Sequence, residues 1–194
     1  MMYPFFALMN RMKYINRWGL MKNVRMENIQ EHSHQTAVFA HALCVLAVEK
    51  YGEKLNPERA CLLAVYHDAS EILTGDLPTP VKYYNQEIRD AYKIIEDISS
   101  QKLLSMLPKE LAGSFSFLKD GEGEPEWKYV KAADTLSAYV KCLDENSAGN
   151  QEFDEAKKTI KEKLDNMAEK MPALKLFMDE YLPPFSFTLD QTGI

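Results

Sequence analysis

The feature that most constrains this chain is the adjacent pair His67 and Asp68, which lies inside an apolar stretch of helical character at residues 64–71. An imidazole and a carboxylate are costly to bury unless each has a partner that offsets the loss of water. A fold that buries this pair therefore has to bring distant polar groups to it, and His32 and Asp134 are the two candidates. A divalent cation bound by two imidazoles and two carboxylates would satisfy all four groups.

The length and composition predict one soluble globular domain. The 194 residues contain no internal repeat and no obvious linker, so we expect a single domain over residues 1–194. The hydrophobic and charged fractions, 46% and 27%, are ordinary for such a domain. A net charge of -6 argues against broad binding to duplex nucleic acid, which requires a basic face. The same charge is compatible with a small anionic substrate held by one or two local cations.

The cysteines and the N-terminal stretch predict a cytoplasmic location. Cys44, Cys61 and Cys142 are scattered through apolar helical stretches without CxxC spacing, a pattern typical of reduced core thiols. The apolar N-terminal stretch is short and precedes Arg11 and Lys13, the reverse of the charge order in a secretory signal. No run approaches the roughly 18 apolar residues that span a membrane, so we expect no membrane association.

Helical signals dominate the chain and predict an all-α domain of six or seven main helices. Asn28 is placed to cap a long helix, and Asn56 followed by Pro57 is a second start signal, with proline at the first helical position. Gly75 fits the left-handed residue that commonly follows a helix. The predicted helices cover residues 5–15, 29–51, 57–73, 85–107, 126–145, 153–170 and 172–182.

Three segments are predicted to be non-helical. Residues 76–80 contain two prolines two positions apart, which remove amide donors and fix φ. Residues 119–125 form the most polar break in the chain and predict a surface loop. The tail that begins at Pro183 and Pro184 is expected to be extended.

The helix predicted over residues 57–73 would present a compact set of polar groups. His67 and Glu71 are four residues apart, and Asp68 and Glu71 are three apart, so all three can face one pocket. The loop that follows supplies a further carboxylate, Asp76, which can curl over that pocket. The segment therefore predicts a site built around the His67-Asp68 pair.

The distant partners are less sharply defined by spacing. Asp134 has apolar neighbours on its predicted helix, where a carboxylate usually has a metal, a cation or a donor network as partner, and Lys131 is the simplest cation. The first long helix contains three histidines, and apolar periodicity favours His34 and His41 over His32 for its buried face. Spacing alone therefore leaves the histidine partner open.

Five stretches together resemble the HD-domain phosphohydrolases, and within that superfamily the bacterial 5′-deoxynucleotidases. They are RW at 17–18, EHS at 31–33, YHDASE at 66–71, TGDLPTPVKY at 74–83 and KAADTL at 131–136. An isolated His-Asp pair is a weak signal, whereas HDASE followed by TGDLPTP is specific. The resemblance implies an HD-type helical bundle that forms a single domain.

The resemblance implies four metal ligands: His32, His67, Asp68 and Asp134. It thereby selects His32 among the three histidines of the first long helix. It assigns no role to His34, and His41 is expected to be a packed residue near the site or in the core. Because no histidine follows His67, one divalent ion per subunit is favoured over a two-metal site. This donor set does not select one metal, and Co, Mn, Fe, Zn and Ni all fit.

The resemblance also implies hydrolysis of deoxyribonucleoside 5′-monophosphates to deoxyribonucleosides and phosphate. Arg17 would bind the phosphate bidentately, a geometry that lysine cannot reproduce. Glu71 would orient or deprotonate the attacking water, and Asp76 would position that water or protonate the leaving group. Trp18 would lie against the sugar and disfavour a 2′-hydroxyl. The implied substrate-binding set is Arg17, Trp18, His32, Asp68, Asp76, Leu77, Pro78, Thr79 and Asp134.

Two alternative functions stay open at this point. A cyclic-nucleotide phosphodiesterase, an alarmone hydrolase or a dNTP triphosphohydrolase of the same superfamily would need more basic residues near the site than the four available: Arg17, Lys22, Arg25 and Lys82. A non-catalytic HD-like binding module would keep the fold and lose the chemistry. The presence of all four implied ligands argues against this second alternative.

A second copy of the chain is the one macromolecular partner that the resemblance implies, as a homodimer. The sequence itself shows only an amphipathic opening segment and an apolar segment near the C-terminus, which a monomer would leave partly exposed. The apolar residues of the latter are Ala173, Leu174, Leu176 and Phe177.

Overall fold

The computed structural model describes residues 2–82 and 84–193. The predicted domain ends, Met1 and Ile194, and Tyr83 of the matched stretch lie outside the described residues. The described chain forms α-helices and short 3-10 helices, and its β structure is limited to an isolated antiparallel bridge between Asn16 and Asn28. The predicted all-α class is confirmed.

Eleven α-helices lie within the described residues. In chain order they are α1 (Phe5–Met9), α2 (Ile29–Tyr51), α3 (Pro57–Tyr66), α4 (Glu71–Thr74), α5 (Thr79–Lys82), α6 (Gln86–Leu104), α7 (Lys109–Ala112), α8 (Phe117–Asp120), α9 (Trp127–Ser147), α10 (Asp154–Ala168) and α11 (Pro172–Glu180). None of the described helices is long and apolar enough to cross a membrane.

The first long helix, α2, begins and ends where the sequence predicts. Asn28 accepts hydrogen bonds from the amides of Gln30 and Glu31, and the Glu31 side chain accepts the amide of Asn28 in return. This capping box satisfies amides that would otherwise lack partners in the first turn. At the other end Gly52 adopts a left-handed conformation with φ 68°, which ends the helix.

α2 is the central element of the fold. It packs against α3, α9 and α11, and α9 packs in turn against α3 and α10. The core between them is aliphatic and aromatic, with Leu43, Tyr129 and Leu136 almost completely buried. This packing holds the buried faces of α2 and α9 together, and His32 and Asp134 lie on those two helices.

The apolar C-terminal segment packs inside the chain. Ala173 and Leu174 are 0% exposed and Phe177 is 6% exposed, because α11 lies against α2. The expectation that this segment exceeds what a monomer buries is therefore wrong for these three residues.

The helix predicted over residues 57–73 is interrupted. α3 ends at Tyr66, the chain turns through residues 67–70, and α4 begins at Glu71. In the turn the amides of Ala69 and Glu71 bond to the carbonyls three residues earlier, each at 3.0 Å, in place of the α-helical pattern. The Nδ1 atom of His67 donates a hydrogen bond to the carbonyl oxygen of Ala64 at 2.7 Å. In a continuing α-helix that oxygen would accept the backbone amide of Asp68. The prediction of one continuous helix missed this side-chain competition.

Four further segments differ from the prediction in local structure. The opening segment is α1 followed by a 3-10 helix over Asn10–Tyr14. Pro80, expected outside any helix, is the second residue of the short α5, where the absent amide costs no helical bond. The predicted loop at 119–125 contains the end of α8 and a 3-10 turn at Gly121–Gly123. The tail is not extended at its start, because Pro183–Ser186 forms a 3-10 helix.

The burial of the three α2 histidines is the opposite of what apolar periodicity predicts. His32 is 0% exposed, whereas His34 and His41 are exposed. At about 100° per residue, positions 34 and 41 lie about 160–180° around the helix from position 32. The preference for these two on the buried face is wrong, and so is the expectation that His41 is packed in the core.

Candidate active site

The four predicted metal ligands meet at the junction of α2, α9 and the turn after α3. His32 Nε2 lies 3.1 Å from Asp134 Oδ1 and 3.6 Å from Asp68 Oδ2. His67 Nε2 lies 3.1 Å from Asp68 Oδ2 and 4.0 Å from Asp134 Oδ1. Donor atoms of His32, His67 and Asp68 all lie within 4.8 Å of one another. Residues more than one hundred positions apart are thus brought into one small cluster.

The His67 ring is oriented by the backbone of its own turn. Its Nδ1 atom lies 2.7 Å from the carbonyl oxygen of Ala64, which can only accept a hydrogen bond, so Nδ1 carries the proton. In the neutral ring Nε2 then has a free lone pair. That Nε2 atom is buried, and no well-aligned hydrogen bond satisfies it among the described residues. It points at the carboxylates of Asp68 and Asp134.

The His32 ring is oriented by a relay on two helices. The hydroxyl of Ser137 donates to Gln35 Oε1 at 2.6 Å, so its oxygen is left to accept from His32 Nδ1 at 3.0 Å. This arrangement again leaves Nε2 without a proton in the neutral ring and directed at carboxylates. Outer hydrogen bonds of this kind fix the tautomer of histidines that bind metals.

The donor set and its spacing fit a divalent cation. Two unprotonated imidazole nitrogens face two carboxylates, an arrangement that is repulsive without a positive charge among them. Ligands about 2.1 Å from an ion at tetrahedral angles lie about 3.4 Å apart. The measured separations of 3.1–4.0 Å bracket that value. These residues could therefore hold one divalent metal ion.

The electrostatics of the cluster point to the same conclusion. Burial opposes the charged forms of Asp68 and Asp134, but the neighbouring imidazoles, and for Asp134 also Lys131 at 3.7 Å, outweigh it and hold the pKa of each carboxyl well below its usual range. Burial and the charge of Arg17 lower the pKa of His32. Burial also acts to lower the pKa of His67, but Asp68 and Asp134 outweigh it and raise that pKa. The cluster thus attracts a proton to His67, and a metal ion would compete for the same position.

Two further carboxyl groups lie next to the cluster, as the sequence predicts. Glu71 is 7% exposed, and its Oε2 atom is buried with no hydrogen bond among the described residues. Burial, with the charges of Asp68 and Asp76, raises the pKa of Glu71 well above its usual value. Burial also raises the pKa of Asp76, although Arg17 and the backbone amide of Trp18 oppose the shift. Gly75 follows the last residue of α4 with φ 73°, a conformation that favours glycine, and the chain leaves the helix there before Asp76.

Arg17 and Trp18 reach the site from the segment between the opening helices and α2. Burial disfavours the charge on Arg17, but Glu27 and the site carboxylates Asp68, Asp134 and Asp76 outweigh it and raise its pKa. The indole of Trp18 packs on Phe153 with the ring centroids 5.3 Å apart. The Arg17 guanidinium thus interacts with the cluster carboxylates, and the backbone amide of Trp18 donates to Asp76 beside them.

The segment that follows Gly75 borders the site. Asp76, Leu77 and Pro78 are half-buried, and Thr79 is exposed at the start of α5. Lys82, at the end of α5, donates to Glu96 Oε1 at 2.9 Å and lies over the ring of Tyr92. The cation that the sequence offers as a substrate contact is therefore engaged with α6.

Sequence reasoning missed several residues that orient the predicted ones. Gln35 and Ser137 lie three residues after His32 and Asp134, so helical spacing could have identified them as neighbours on the same faces. Glu27, which contacts both Arg17 and Trp18, lies in an irregular segment and gives no periodic signal.

Solved structures with the same fold confirm the HD-type bundle. An HD-domain phosphohydrolase from Listeria innocua is similar with a TM-score of 0.81 at 24% identity, covering 93% of this chain and 87% of the other. A cyanophage S-2L HD phosphohydrolase, described as bound to dA and one catalytic Zn²⁺ ion, is similar with a TM-score of 0.62 at 20% identity, covering 94% and 96%.

Sequence comparisons are more specific than the fold. The family model of YfbR-like 5′-deoxynucleotidases matches residues 4–185. Proteins named 5′-deoxynucleotidase from Yersinia pestis and Yersinia pseudotuberculosis are each 50% identical over 192 residues, which cover 98% of this chain and 96% of theirs. The resemblance carried by the sequence motifs is thereby confirmed, and the chain belongs to the YfbR-like 5′-deoxynucleotidase family.

Proposed function

We propose that this protein is a metal-dependent 5′-deoxynucleotidase, which hydrolyses deoxyribonucleoside 5′-monophosphates to deoxyribonucleosides and phosphate. The observation that carries the proposal is the pair of buried imidazole nitrogens, His32 Nε2 and His67 Nε2, which outer hydrogen bonds to Nδ1 direct at two carboxylates. Family membership supplies the substrate class, and the relatives from Yersinia carry the same activity in their names.

The proposed metal ligands are His32, His67, Asp68 and Asp134. One divalent ion per subunit is proposed, and Co, Mn, Fe, Zn and Ni all suit two imidazoles with two carboxylates. When bound, such an ion supplies Lewis-acid activation of water and neutralises charge on a phosphoryl oxygen. The outer partners Ala64 and Ser137 support the assignment because they fix the ring orientation of both histidines.

Arg17 is proposed to bind the phosphate. Its guanidinium carries a fixed positive charge beside the cluster, and a planar fork of donors matches two phosphate oxygens. A nucleoside monophosphate presents a phosphate dianion, which this charge attracts. Lys82 already pairs with Glu96, and Lys131 pairs with Asp134 Oδ2 at 3.7 Å, so these cations are engaged with protein carboxylates, which favours a monophosphate over a triphosphate.

Glu71 and Asp76 are proposed to handle protons on the two sides of the phosphorus atom. Burial raises the pKa of Glu71, which makes its carboxylate a better proton acceptor for the attacking water than an exposed glutamate. Asp76 accepts a hydrogen bond from the backbone amide of Trp18 and interacts with the charge of Arg17, so it lies near both proposed substrate-binding residues. The leaving O5′ atom joins phosphate to sugar, and Asp76 in its protonated form is suited to donate a proton to that oxygen.

Trp18 is proposed to select the deoxyribose, with Leu77, Pro78 and Thr79 forming the adjacent wall. The indole ring is held against Phe153, so it can oppose a 2′-hydroxyl by its bulk and by offering it no partner. His32, Asp68 and Asp134 complete the proposed substrate-binding set through their position next to the reacting phosphate.

The proposal is tested with metal-stripped protein to which each divalent ion is added back singly. The substrates are a panel of deoxyribonucleoside and ribonucleoside monophosphates, together with dATP, a cyclic nucleotide and an alarmone. Loss of each substrate and its products are followed by chromatography, because only the monophosphates would give inorganic phosphate. We expect deoxynucleoside and phosphate from the deoxynucleoside monophosphates with at least one metal. Preferential conversion of dATP to deoxyadenosine and tripolyphosphate, of the cyclic nucleotide to a monophosphate, or of the alarmone with release of pyrophosphate would instead identify another HD phosphohydrolase. No conversion of any substrate would identify a binding module.

A homodimer in the cytoplasm is the proposed physical state. Ile94, Ile95 and Ile98 on one side of α6 are 59%, 48% and 58% exposed, and such apolar residues on one helix favour association. The free thiols of Cys44, Cys61 and Cys142 suit a reducing compartment. Light scattering coupled to size exclusion would give the mass in solution, and a mass of one chain would contradict the dimer.

A further inference from the structure

Glu27 contacts both residues that flank the metal cluster with a single atom. Its Oε2 accepts from Arg17 Nη1 at 2.7 Å and from Trp18 Nε1 at 3.0 Å. The side chains of Arg17 and Glu27 are only 14% and 13% exposed, so the ion pair is largely shielded from water. A shielded bond to a charged acceptor is stronger than an exposed one, so Glu27 restricts both side chains at once.

The backbone around Glu27 supports the same restriction. The amide of Arg17 donates to the carbonyl oxygen of Glu27 at 2.9 Å. Trp18 has φ 61°, a left-handed conformation that a tryptophan rarely adopts, and its carbonyl accepts from Asn23 Nδ2 and from the amide of Met21. A residue held in such a conformation persists only where surrounding bonds determine it. The orientation of Trp18 therefore depends on contacts made by its neighbours.

We propose that Glu27 is a positioning residue that couples phosphate binding to sugar selection, by holding the guanidinium of Arg17 and the indole of Trp18 with one carboxylate oxygen. This inference rests on the proposed function, because it assigns the two held groups to the phosphate and the sugar of one substrate. Glu27 itself touches no reacting atom in this scheme. It acts by keeping two recognition groups at a fixed separation, with Arg17 Cζ 5.8 Å from the centroid of the Trp18 ring.

Two substitutions of Glu27 distinguish the effect of its bond to Arg17 from that of its bond to Trp18. Glu27→Leu removes the acceptor for both Arg17 and Trp18, so we expect KM for a deoxynucleoside monophosphate to rise about tenfold and the deoxy-to-ribo ratio of kcat/KM to fall about fivefold. Glu27→Gln keeps an oxygen that can accept from the indole but removes the charge that pairs with Arg17. We expect this variant to retain most of the selectivity while its KM rises about as much as in Glu27→Leu.

A readout without turnover is available because the chain has two tryptophans, Trp18 and Trp127. In a Trp127→Phe background the emission of metal-free protein reports on Trp18 alone. We expect Glu27→Leu to change the emission maximum and lower the anisotropy, and Glu27→Gln to leave both close to those of the background protein. Glu49→Gln, an exposed glutamate of α2, is the matched control for charge removal and should change none of these quantities.

The result that overturns the proposal is a folded Glu27→Gln variant with unchanged KM, or a folded Glu27→Leu variant with unchanged KM and selectivity. If Glu27→Leu does not fold, the KM of Glu27→Gln decides alone. A purely structural role predicts a lower Tm and a lower kcat for both nucleotides, without a change in their ratio. Failure of the proposed function is distinct, because the unsubstituted protein would then release no phosphate from a deoxynucleoside monophosphate.

Discussion

The candidate metal cluster and the segment at residues 15–28 hold their side chains in different ways. The cluster lies on long buried helices and a tight turn, where neighbours such as Ser137 and the Ala64 carbonyl orient the rings. The segment has almost no regular structure, and long-range bonds hold it in place. Glu145 of α9 accepts the amides of Val24 and Arg25 at 2.8 and 3.1 Å.

Under the proposed roles, reaction chemistry lies on rigid elements and substrate selection lies on a tethered segment. Helices fix positions within a few tenths of an ångström because every neighbour is packed, whereas a segment is only as well placed as its tethers. Lys141 donates to both Glu145 and the Arg25 carbonyl, and Asn150 donates to Glu145 and the Lys22 carbonyl. The segment that carries Arg17 and Trp18 therefore depends on α9 through a different set of bonds from those that orient the proposed metal ligands.

The largest effect should come from the cluster itself. Asp68→Asn removes a charged ligand while nearly keeping its shape, so we expect loss of bound metal and a fall in kcat/KM of about 1000-fold or more. Metal content by mass spectrometry and phosphate release are the measurements. Asp97→Asn, an exposed aspartate on α6, is the control. Full metal content in Asp68→Asn would remove this residue from the ligand set.

A substitution of Glu71 distinguishes metal binding from proton transfer among the residues that the helices and the turn hold in place. Glu71→Gln should keep the metal and lose about 100-fold in kcat, since general base catalysis contributes about that much. Because the pKa of Glu71 is raised, the rate of the unsubstituted protein should fall as the pH drops through that pKa. The pH profile of the variant should lack this acid limb. A variant with metal and full activity would show that Glu71 takes no part.

Trp18→Ala tests whether the segment at residues 15–28 selects the sugar. Removing the indole should let a ribonucleotide into the site, so the deoxy-to-ribo ratio of kcat/KM should fall about tenfold, while kcat for the deoxynucleotide changes less. Paired assays with dAMP and AMP measure the ratio. The same ratio in variant and parent would show that sugar selection lies elsewhere.

The smallest effect on activity, with a clear effect on stability, is expected at Glu145. Burial acts to raise the pKa of this carboxyl, but hydrogen bonds from Lys141, Asn150 and two backbone amides outweigh it and lower the pKa to about 2. A depressed pKa stabilises the fold above the ordinary value near 4.5, and the stabilisation is lost as the pH falls toward 2.

Glu145→Gln should therefore lower the free energy of unfolding by about 3 kcal/mol at pH 7 and flatten its dependence between about pH 4.5 and 2. KM should rise only a few-fold because the tether is loosened, not removed. Denaturant titrations across this pH range test the first expectation. An unchanged acid profile would show that Glu145 does not anchor the segment energetically.

The sequence predicts the helical framework well where a local signal sets a boundary. Asn28 marks the start of α2, and Pro57 marks the start of α3. It failed at His67, whose side chain takes the Ala64 carbonyl and ends the helix, because side-chain competition for backbone acceptors leaves no periodic signal. It failed also for His41, because partial apolar spacing resembles a buried face until the neighbouring helices are placed.

The candidate site was likewise predicted from the sequence only in part. The motif resemblance identified the four residues that meet in the cluster, and His32 was chosen by motif where periodicity pointed elsewhere. Their roles as ligands stay a prediction. Glu27 was missed because its contacts with Arg17 and Trp18 cross an irregular segment without fixed spacing. Lys141 and Glu145 form an i,i+4 pair on α9, and their role was missed because their bonds to Val24 and Arg25 join distant parts of the chain.

The backbone of Trp18 has a consequence for attempts to stabilise the protein. A left-handed conformation costs a non-glycine residue roughly 1 kcal/mol or more, which asparagine or glycine would largely recover at this position. The same substitutions would lose the packing of the indole on Phe153 and its hydrogen bond to Glu27, so relaxing this backbone should not raise the thermal stability of the whole protein.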